Sequence, residues 1–458
     1  MVFSQRFLVF SFVIASTLQS GRTATSEVPH RKIATFQCEI TPPLGQPVGM
    51  GFIKTMETVE HPLMAKGVIV VDETAQPHGV YVLCGLDLME VHNSSYDVLR
   101  QQVAEAVGTT ASRVAPHCLH QHTAPAFNRD VLQLKLGENH PRRVATAKYW
   151  EQTVGTISAA VKQAMGNLKP LTHLGTSQAR VDRVASNRRI QQEDGTILMR
   201  SSRTKDPALQ AAPEGLIDPW LKTVTFYSGE IAVAQLHYYA THPQSFYNDK
   251  RVSWDTCGIA RERLQQDSGV FQVYFTGCGG DIAMGKYNDG SLEARDQLTN
   301  RLYDAMQRSV AEVHRESIQH MRWDIEPFQF PPRTEPEFSL EASQRNLQEN
   351  LVAATNISFI RRRRAGQAVE LNCLTINNLQ ILHLPGEPFV LYQLAAQRLS
   401  PTAFVAVAGY GDGGVGYIGS DRMYSDKGGY EQTYAFSGPC EQPLIEAIGK
   451  LLARGRVQ

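Results

Sequence analysis

The sequence predicts an α/β fold in which large mixed sheets are flanked by helices within a single large domain. Short apolar runs of strand length, for example at residues 67–71, 79–88, 223–227 and 271–275, alternate with longer stretches of helical periodicity. Strands that are interleaved with helices favour sheets covered by helices over a sandwich or a bundle. With 458 residues, of which 42% are hydrophobic and 20% charged, the chain can bury a sizeable core.

The helices are predicted by apolar residues that recur at three-and-four spacing. The clearest pattern covers residues 149–168, where Gly166, Asn167 and Pro170 end it. A second pattern covers residues 292–310. We interpret both apolar stripes as faces that pack on the core, because one-sided apolar patterns of this kind are typical of helices on a globular domain.

The charge balance excludes partners that bind through a strong net field. Lys plus Arg and Asp plus Glu number 45 each, so nothing in the net charge would recruit nucleic acid or an anionic membrane surface. The arginine run at residues 361–364 is interpreted as a solvated face. We therefore expect a small-molecule partner and no nucleic acid.

The first 26 residues are typical of a signal peptide. Arg6 lies in a short polar start, an apolar run follows at residues 7–15, and small polar residues continue to about Ser26. That run is too short to span a bilayer, and no later run approaches ~18 consecutive apolar residues. We expect a secreted or periplasmic protein, with residues 27–458 as one catalytic domain and no stable membrane insertion.

The seven cysteines are scattered along the chain and lack the close pairs of a structural zinc site. In an exported protein, an odd number of cysteines leaves at least one thiol unpaired. The sequence does not indicate which of them pair.

The residues with catalytic potential begin in the stretch HCLHQHTAP, at 117–125. In an extended segment, residues two positions apart project from the same face. His120 and His122 should therefore point together while His117 points away. Two imidazoles on one face suit a divalent metal, although such a pair is as often a satisfied structural pair.

Two further candidate ligands follow apolar runs of strand length. His242 comes at the end of one such run, immediately before a proline, and Glu387 follows another with Pro-Gly before it and Pro after it. A carboxylate in this setting is costly to bury unpaired. With His120, these strand ends offer His, His and Glu, a set that holds zinc and leaves one position open. The alternative is three unrelated loop residues.

Five stretches in one order resemble the neutral, non-lysosomal ceramidase family, which has counterparts of each in its catalytic domain. They are LHQHTAP (119–125), YATHPQSF (239–246), GGDIAMG (279–285), LPGEP (384–388) and the tyrosine-rich segment 409–431. The resemblance implies a fold like the N-terminal domain of that family and covers most of the chain. It also implies that the glycine turn at 279–285 is a wall of an active site and not a phosphate cradle.

The resemblance implies a site with Zn2+ as its cofactor. Carried over position by position, the zinc ligands are His120, His242, Glu387 and Tyr417. The residues implied in catalysis are His122, Tyr430 and Arg188, with Tyr430 placed less firmly because its spacing from Tyr417 is one residue longer than the family pattern. Asp255 and Asp281 are expected to support the site from behind the ligands.

Two departures from the family pattern bear on the substrate. Ala283 occupies the position of a family serine, and the family's additional C-terminal sandwich domain has no counterpart before Gln458. We expect a zinc-dependent hydrolase that uses a water activated by the metal to cleave the carbonyl C–N bond of an N-acyl compound other than ceramide. An esterase or lactonase on the same site is one alternative. A non-catalytic, metal-containing relative that binds a ligand is another.

Overall fold

The computed structural model of the chain describes residues 1–2, 30–49, 55–75, 79–247 and 249–455. Apart from its first two residues, the predicted signal peptide lies outside this range. The fold is a mixed α/β arrangement of several sheets and helices, so the predicted class is confirmed. Among the described helices, none is both long and apolar enough to cross a bilayer.

The strands, numbered in chain order, are β1 (Arg31–Glu39), β2 (Thr58–Val59), β3 (Met64–Asp72), β4 (Gly79–Leu86), β5 (Glu90–Val91), β6 (Val114–Cys118), β7 (Ala126–Phe127), β8 (Lys169–Pro170), β9 (His173–Arg180), β10 (Ser186–Asn187), β11 (Arg189–Gln191), β12 (Ile197–Met199), β13 (Trp220–Ser228), β14 (Ile231–Tyr239), β15 (Arg251–Val252), β16 (Phe271–Thr276), β17 (Ile282–Ala283), β18 (His314–Ser317), β19 (Met321–Phe328), β20 (Val369–Ile376), β21 (Leu379–His383), β22 (Glu387–Pro388), β23 (Phe404–Ala408) and β24 (Tyr417–Ile418). The helices are α1 (Asn93–Val107), α2 (Arg129–Lys135), α3 (Pro141–Ala164), α4 (Pro207–Ala211), α5 (Asp255–Ser268), α6 (Leu292–Ala311), α7 (Leu340–Arg345), α8 (Leu351–Arg364), α9 (Val390–Leu399) and α10 (Glu441–Arg454).

Three larger sheets form the framework. Sheet I has the strand order β6-β4-β3-β1-β8, sheet II has β16-β14-β13-β9-β18, and sheet III has β19-β20-β21-β23. Most neighbouring strands in them are antiparallel. The apolar runs read from the sequence fall on β3, β4, β13, β14 and β16, so each of them is a strand as predicted.

Each large sheet ends in one parallel pair, and these pairs determine where the site is. The pairs are β4 with β6, β14 with β16, and β21 with β23. Ligand sites in sheets with parallel strands lie just beyond the carboxyl ends of those strands. The candidate ligands His120, His242 and Glu387 all follow such ends.

Residues on the two faces of a strand pack in different apolar clusters of the core. Val68 and Val70 of β3 pack in a cluster shared by the three large sheets, whereas Ile69 and Val71 pack in a second cluster with helices α1 and α3. This alternation is the two-residue period of a strand with both faces covered. Helices α5 and α6 supply apolar residues to a third cluster, and α9 and α10 to a fourth.

The helix predictions hold in position, but α3 differs from its prediction at both ends, since it ends at Ala164 and a short 3-10 turn covers Met165–Asn167. Helix α6 covers the predicted stretch 292–310. Helix α3 begins eight residues before the predicted start at 149, because the His140 side chain accepts a hydrogen bond from the Arg142 amide (3.2 Å) and Pro141 occupies the first turn. The start of α3 is therefore determined by an N-terminal cap and not by the apolar pattern.

The arginine run 361–364 forms the last turn of α8. Arg361 and Arg364 are exposed, as expected for a solvated face, while Arg362 pairs with Asp97 at 2.7 Å.

A buried ion pair joins helix α5 to the end of β4. Arg261 donates from both terminal nitrogens to the Asp87 carboxylate, at 2.7 and 3.0 Å, and both side chains are buried. Removal of one partner leaves the other charge buried and unpaired. We predict that Arg261→Ala lowers the free energy of unfolding by about 3–5 kcal/mol, measured by urea denaturation.

The matched control is Arg263→Ala on the same helix, where the arginine is about half exposed and pairs with Asp267 one turn away. It should lower the free energy of unfolding by less than about 1 kcal/mol. Equal losses for the two variants would contradict the importance of the buried pair.

Candidate functional site

Three candidate ligands from the three large sheets meet in one buried cluster. The Nε2 atoms of His120 and His242 lie 3.1 and 3.0 Å from the same oxygen of Glu387, Oε2. All three side chains are buried. The His, His and Glu that follow separate strands in the sequence are therefore neighbours in space.

A hydrogen bond from the ring nitrogen that faces away from the cluster fixes the orientation of the His120 ring. Its Nδ1 lies 2.9 Å from the Met89 carbonyl oxygen, which can only accept, so Nδ1 carries the proton of the neutral ring. Nε2 then presents a lone pair to the cluster. The backbone of His120 is left-handed, with φ +67°, and its amide donates to the Leu88 carbonyl at 2.9 Å.

His242 is held in the same way by the glycine turn. Its Nδ1 lies 2.6 Å from the Gly279 carbonyl oxygen and 3.0 Å from that of Ile282, while its amide donates to Ile282 at 3.1 Å. A Cβ on Gly280 would collide with the Glu387 carbonyl oxygen. The turn therefore supports two ligands through its backbone. Burial lowers the pKa of His242 to about 4.

Glu387 is placed by two tight backbone contacts. Gly386 before it adopts φ +59°, a conformation that favours glycine, and the Glu387 amide donates to Gly416 at 2.9 Å. Its strand β22 pairs in parallel with β24, opposite Tyr417. Burial opposes ionisation of the carboxyl, but His120 and His242 outweigh burial and hold its pKa well below the usual range.

His122 lies beside the cluster and faces the cavity in front of it. Its Nε2 is 3.3 Å from Nε2 of His120, and its Nδ1 has no hydrogen-bond partner among the described residues. Burial, together with His120 and His242, keeps its pKa well below the ordinary value. The structure brings His120 and His122 together, but a left-handed turn at His120 does so and not an extended strand. His117 points away, to His383 at 2.9 Å.

Two overlapping groups in the cluster offer metal ligands, and one of them includes a residue that sequence reasoning missed. The groups are His120, His122 and His242, and Glu90, His120 and Glu387; within each, the ligand atoms lie within 4.8 Å of one another. Glu90 follows the apolar run 79–88 much as the other ligands follow theirs. That position was the available signal, and the carboxylate also lies 2.9 Å from His92.

The arrangement of atoms fits a bound cation. With the proton of each ring held on Nδ1 by a carbonyl, lone pairs of two Nε2 atoms face one ionised carboxylate oxygen at 3.0–3.1 Å. Such a contact between acceptors is unfavourable unless a positive charge lies among them. That charge is either a second proton on an imidazole, which Glu387 favours because it raises the pKa of His120 in spite of burial, or a metal cation. Two imidazoles with one carboxylate are a donor set that zinc uses in sites with an open position.

Arg188 is buried next to Tyr417 and Tyr430, and its guanidinium is already hydrogen-bonded to other groups of the protein. Its Nε donates to Glu431 at 2.9 Å, and a terminal nitrogen donates to the Gly280 carbonyl. Its guanidinium lies over the rings of Tyr417 and Tyr430, at 5.3 and 4.9 Å from the centroids. The structure therefore places Arg188 where it orients the tyrosines. Tyr417 is buried, whereas Tyr430 is 38% exposed.

The two predicted aspartates support loops and do not touch the histidines. Asp281 accepts from the Val390 amide and from the Asn187 side chain, both at 2.8 Å, and burial raises its pKa to about 6. Asp255 accepts from the Ser245 amide at 3.0 Å. They fix the segments that carry Glu387, Arg188 and His242.

Ala283 lies fully buried in β17, which pairs with β10 so that Ser186 is opposite. The Ser186 hydroxyl donates to the Ala283 carbonyl at 3.0 Å. The hydroxyl of nearby Thr276 donates to the Leu119 carbonyl at 2.7 Å. Both hydroxyls are therefore already bonded to backbone carbonyls.

A cavity of about 510 Å³ opens in front of the cluster. His122, Glu387, Tyr417 and Tyr430 line its floor. One wall is apolar, with Leu351, Val352 and Phe436; another is polar, with Ser201, Ser202, Arg203 and Gln244. The volume and the mixed lining suit a small organic molecule that has an apolar part and a polar part.

Comparison with known proteins supports the fold. No family model matches the sequence, and no curated protein does. Among solved structures, the neutral ceramidase from Pseudomonas aeruginosa superposes with a TM-score of 0.68 at 16% sequence identity, over 94% of this chain and 76% of that chain. A ceramidase complexed with C2 gives the same values. The resemblance to neutral ceramidases is thus confirmed at the level of the fold.

The cluster predicts metal content that depends on single side chains. We expect the purified protein to hold about one zinc ion per chain after dialysis. His120→Ala and His242→Ala should each lose it, because each removes a ligand atom that the fold has already oriented. Elemental analysis measures the ratio.

His237→Ala is the matched control. His237 is equally buried on β14, but it bonds to Thr223 and Gln272, away from the cluster. That variant should keep its zinc wherever circular dichroism shows it folded. Full zinc retention by both ligand variants would refute the site.

Proposed function

We propose that the protein is a zinc-dependent hydrolase that cleaves the carbonyl C–N bond of a small N-acyl compound. The observation that carries the proposal is the meeting of His120, His242 and Glu387 at the floor of a cavity of about 510 Å³. The family that the sequence resembles cleaves amides, and the shared fold supports the same class of reaction. The signal peptide predicted at residues 1–26 extends the proposal to an exported enzyme.

His120, His242 and Glu387 would hold the ion, with Tyr417 as a fourth ligand. When bound, zinc lowers the pKa of water toward ~7 and polarises a carbonyl oxygen. The chain contributes the orientation of the two imidazoles, since the carbonyls of Met89 and Gly279 keep their protons away from the ion.

Two further residues of the cavity, His122 and Tyr430, would transfer a proton and stabilise the developing negative charge. His122 has one ring nitrogen without a partner among the described residues, so it can pass a proton to the leaving nitrogen. Tyr430, held by the Arg188 guanidinium, can donate its hydroxyl proton to the developing oxyanion. Arg188 therefore acts on the reaction through the tyrosines.

The proposed substrate is not ceramide. Ala283 is buried where the resembled family has serine, and the nearby hydroxyls of Ser186 and Thr276 are already bonded to carbonyls. Loss of one hydrogen bond directed at a transition state costs ~10²- to 10³-fold in rate, which is enough to change which substrates are turned over.

Glu387→Gln should abolish activity while it preserves the fold. The carboxylate charge helps to hold the ion, whereas packing depends on the buried strand β21 before it. Removal of a residue behind a metal ligand costs up to ~10²-fold, and we expect at least that loss here because Glu387 is itself a proposed ligand. The measurement is hydrolysis of a panel of N-acyl compounds by the zinc-loaded variant, with circular dichroism in parallel.

Glu446→Gln, an exposed change on α10, is the control and should keep full activity. A zinc-loaded wild type that hydrolyses no N-acyl compound but binds one would favour a non-catalytic protein. Hydrolysis of esters or lactones alone would favour the esterase alternative. Full activity of Glu387→Gln would place the essential carboxylate elsewhere.

Ala283→Ser should raise turnover of ceramide in detergent relative to turnover of a short-chain, soluble N-acyl substrate. The new hydroxyl restores the group that the resembled family carries at this position, and a hydrogen bond formed in the transition state is worth ~10²-fold or more. The control, Ala185→Ser, introduces a hydroxyl at another buried alanine, next to Ser186. It should leave the ratio of ceramide turnover to soluble-substrate turnover unchanged. Ceramide as the best substrate of the unmodified protein would contradict the proposal.

A further inference from the structure

The polar wall of the cavity carries a cation without a protein partner. Arg203 is the one lysine or arginine among the described residues that line the cavity. It is exposed, and it forms no ion pair or side-chain hydrogen bond with the described part of the chain. Arg188, the cation first implied by the sequence, is bonded to Glu431 and Gly280. Arg203 is therefore the cation that is free to bind a substrate.

The backbone on either side of Arg203 is anchored. The Asn288 side chain donates to the Ser202 carbonyl at 2.9 Å, and the Thr204 amide donates to the Asn288 carbonyl at 2.9 Å. The same Asn288 amide group also donates to the Ser245 carbonyl at 3.0 Å. A charged side chain with a free end thus projects from a segment whose position is fixed, which lowers the entropic cost of binding an anion.

The position of the segment that bears Arg203 also depends on the stretch around Ala283, where the chain departs from the family pattern. Gly285 follows Ala283 and Met284, and a Cβ on Gly285 would collide with the Ser201 carbonyl oxygen. Gly290 similarly gives room to the Arg203 side chain, whose Cδ would lie 2.8 Å from a Cβ there. The residues that replace the family's serine region are those that admit the segment bearing Arg203.

We propose that the substrate is an N-acyl amino acid, whose carboxylate is bound by Arg203 and whose acyl chain lies against Leu351, Val352 and Phe436. This inference rests on the proposed function, since it names the substrate of the same site. A guanidinium binds a carboxylate through charge-assisted hydrogen bonds, and the polar wall with Ser201 and Ser202 suits the amino-acid side of the amide. The apolar wall suits a hydrocarbon.

The reaction is balanced by water alone. The amide C–N bond breaks, a C–O bond forms between the acyl carbon and the oxygen of water, and one proton of that water goes to the leaving nitrogen. The products are a fatty or shorter acid and a free amino acid. Arg203 touches the carboxylate and not the reacting carbon, so it determines specificity and is not required for bond cleavage.

The test compares two probes that differ in one charge, N-decanoylglycine and N-decanoylglycinamide. We expect the zinc-loaded wild type to prefer the carboxylate in kcat/KM. Arg203→Gln should lower kcat/KM for N-decanoylglycine by ~10- to 100-fold, the value of a hydrogen bond to a charged group, and leave the glycinamide almost unchanged. Arg203→Glu should invert the preference. Lys205→Gln, an exposed lysine two residues away, should have no effect.

The outcomes separate this inference from the proposed function. If Arg203→Gln keeps the wild-type preference for the carboxylate, or if the wild type shows none, the inference is overturned while amide hydrolysis stands. If the zinc-loaded wild type cleaves neither probe nor any other N-acyl compound, the proposed function falls and this inference with it. Loss of both activities in Arg203→Gln with a native circular dichroism spectrum would assign Arg203 to the reaction itself and also overturn the inference.

Discussion

The contact between one buried carboxylate and two imidazoles is the constraint on which the rest of the structure depends. An ionised carboxylate that is removed from water destabilises the fold unless it is paired and hydrogen-bonded. Glu387 meets this requirement only because His120 and His242 reach the same oxygen from two other sheets. The contact therefore requires that the parallel pairs of the three large sheets end at one place.

The convergence of the sheets requires an unfavourable backbone conformation at one of the ligands. His120 adopts φ +67°, which for a residue with a side chain costs of order 1–3 kcal/mol. The hydrogen bond from its amide to Leu88, the contact of its ring nitrogen with Met89 and the stacking of its ring on Tyr410 at 4.2 Å over-determine that conformation. Strain at a residue held by so many contacts is typical of a functional site.

The sequence predicted the parts of this arrangement that depend on local pattern. Apolar runs located β4 and β14, and the position of His242 after such a run identified it as a candidate ligand. Glu90 was missed because its strand β5 has only two residues and is held in position by pairing with β7, which is distant in the sequence. The partner of Arg188 could not be predicted either, since Glu431 lies 243 residues away along the chain and only the fold brings it close.

The candidate ligands and the residues that line the cavity are carried by different parts of the chain. The ligands stand on strand ends, where a shift would disturb three sheets at once. The polar wall lies on loops, where substitution is tolerated, whereas Leu351 and Val352 of the apolar wall begin helix α8. The glycine turn supports His242 through the Gly279 carbonyl, and the absence of a side chain at Gly285, in the same loop, leaves the space that the Ser201 carbonyl occupies. One loop thus supports a candidate ligand at its start and leaves room, farther along, for the segment that bears Arg203.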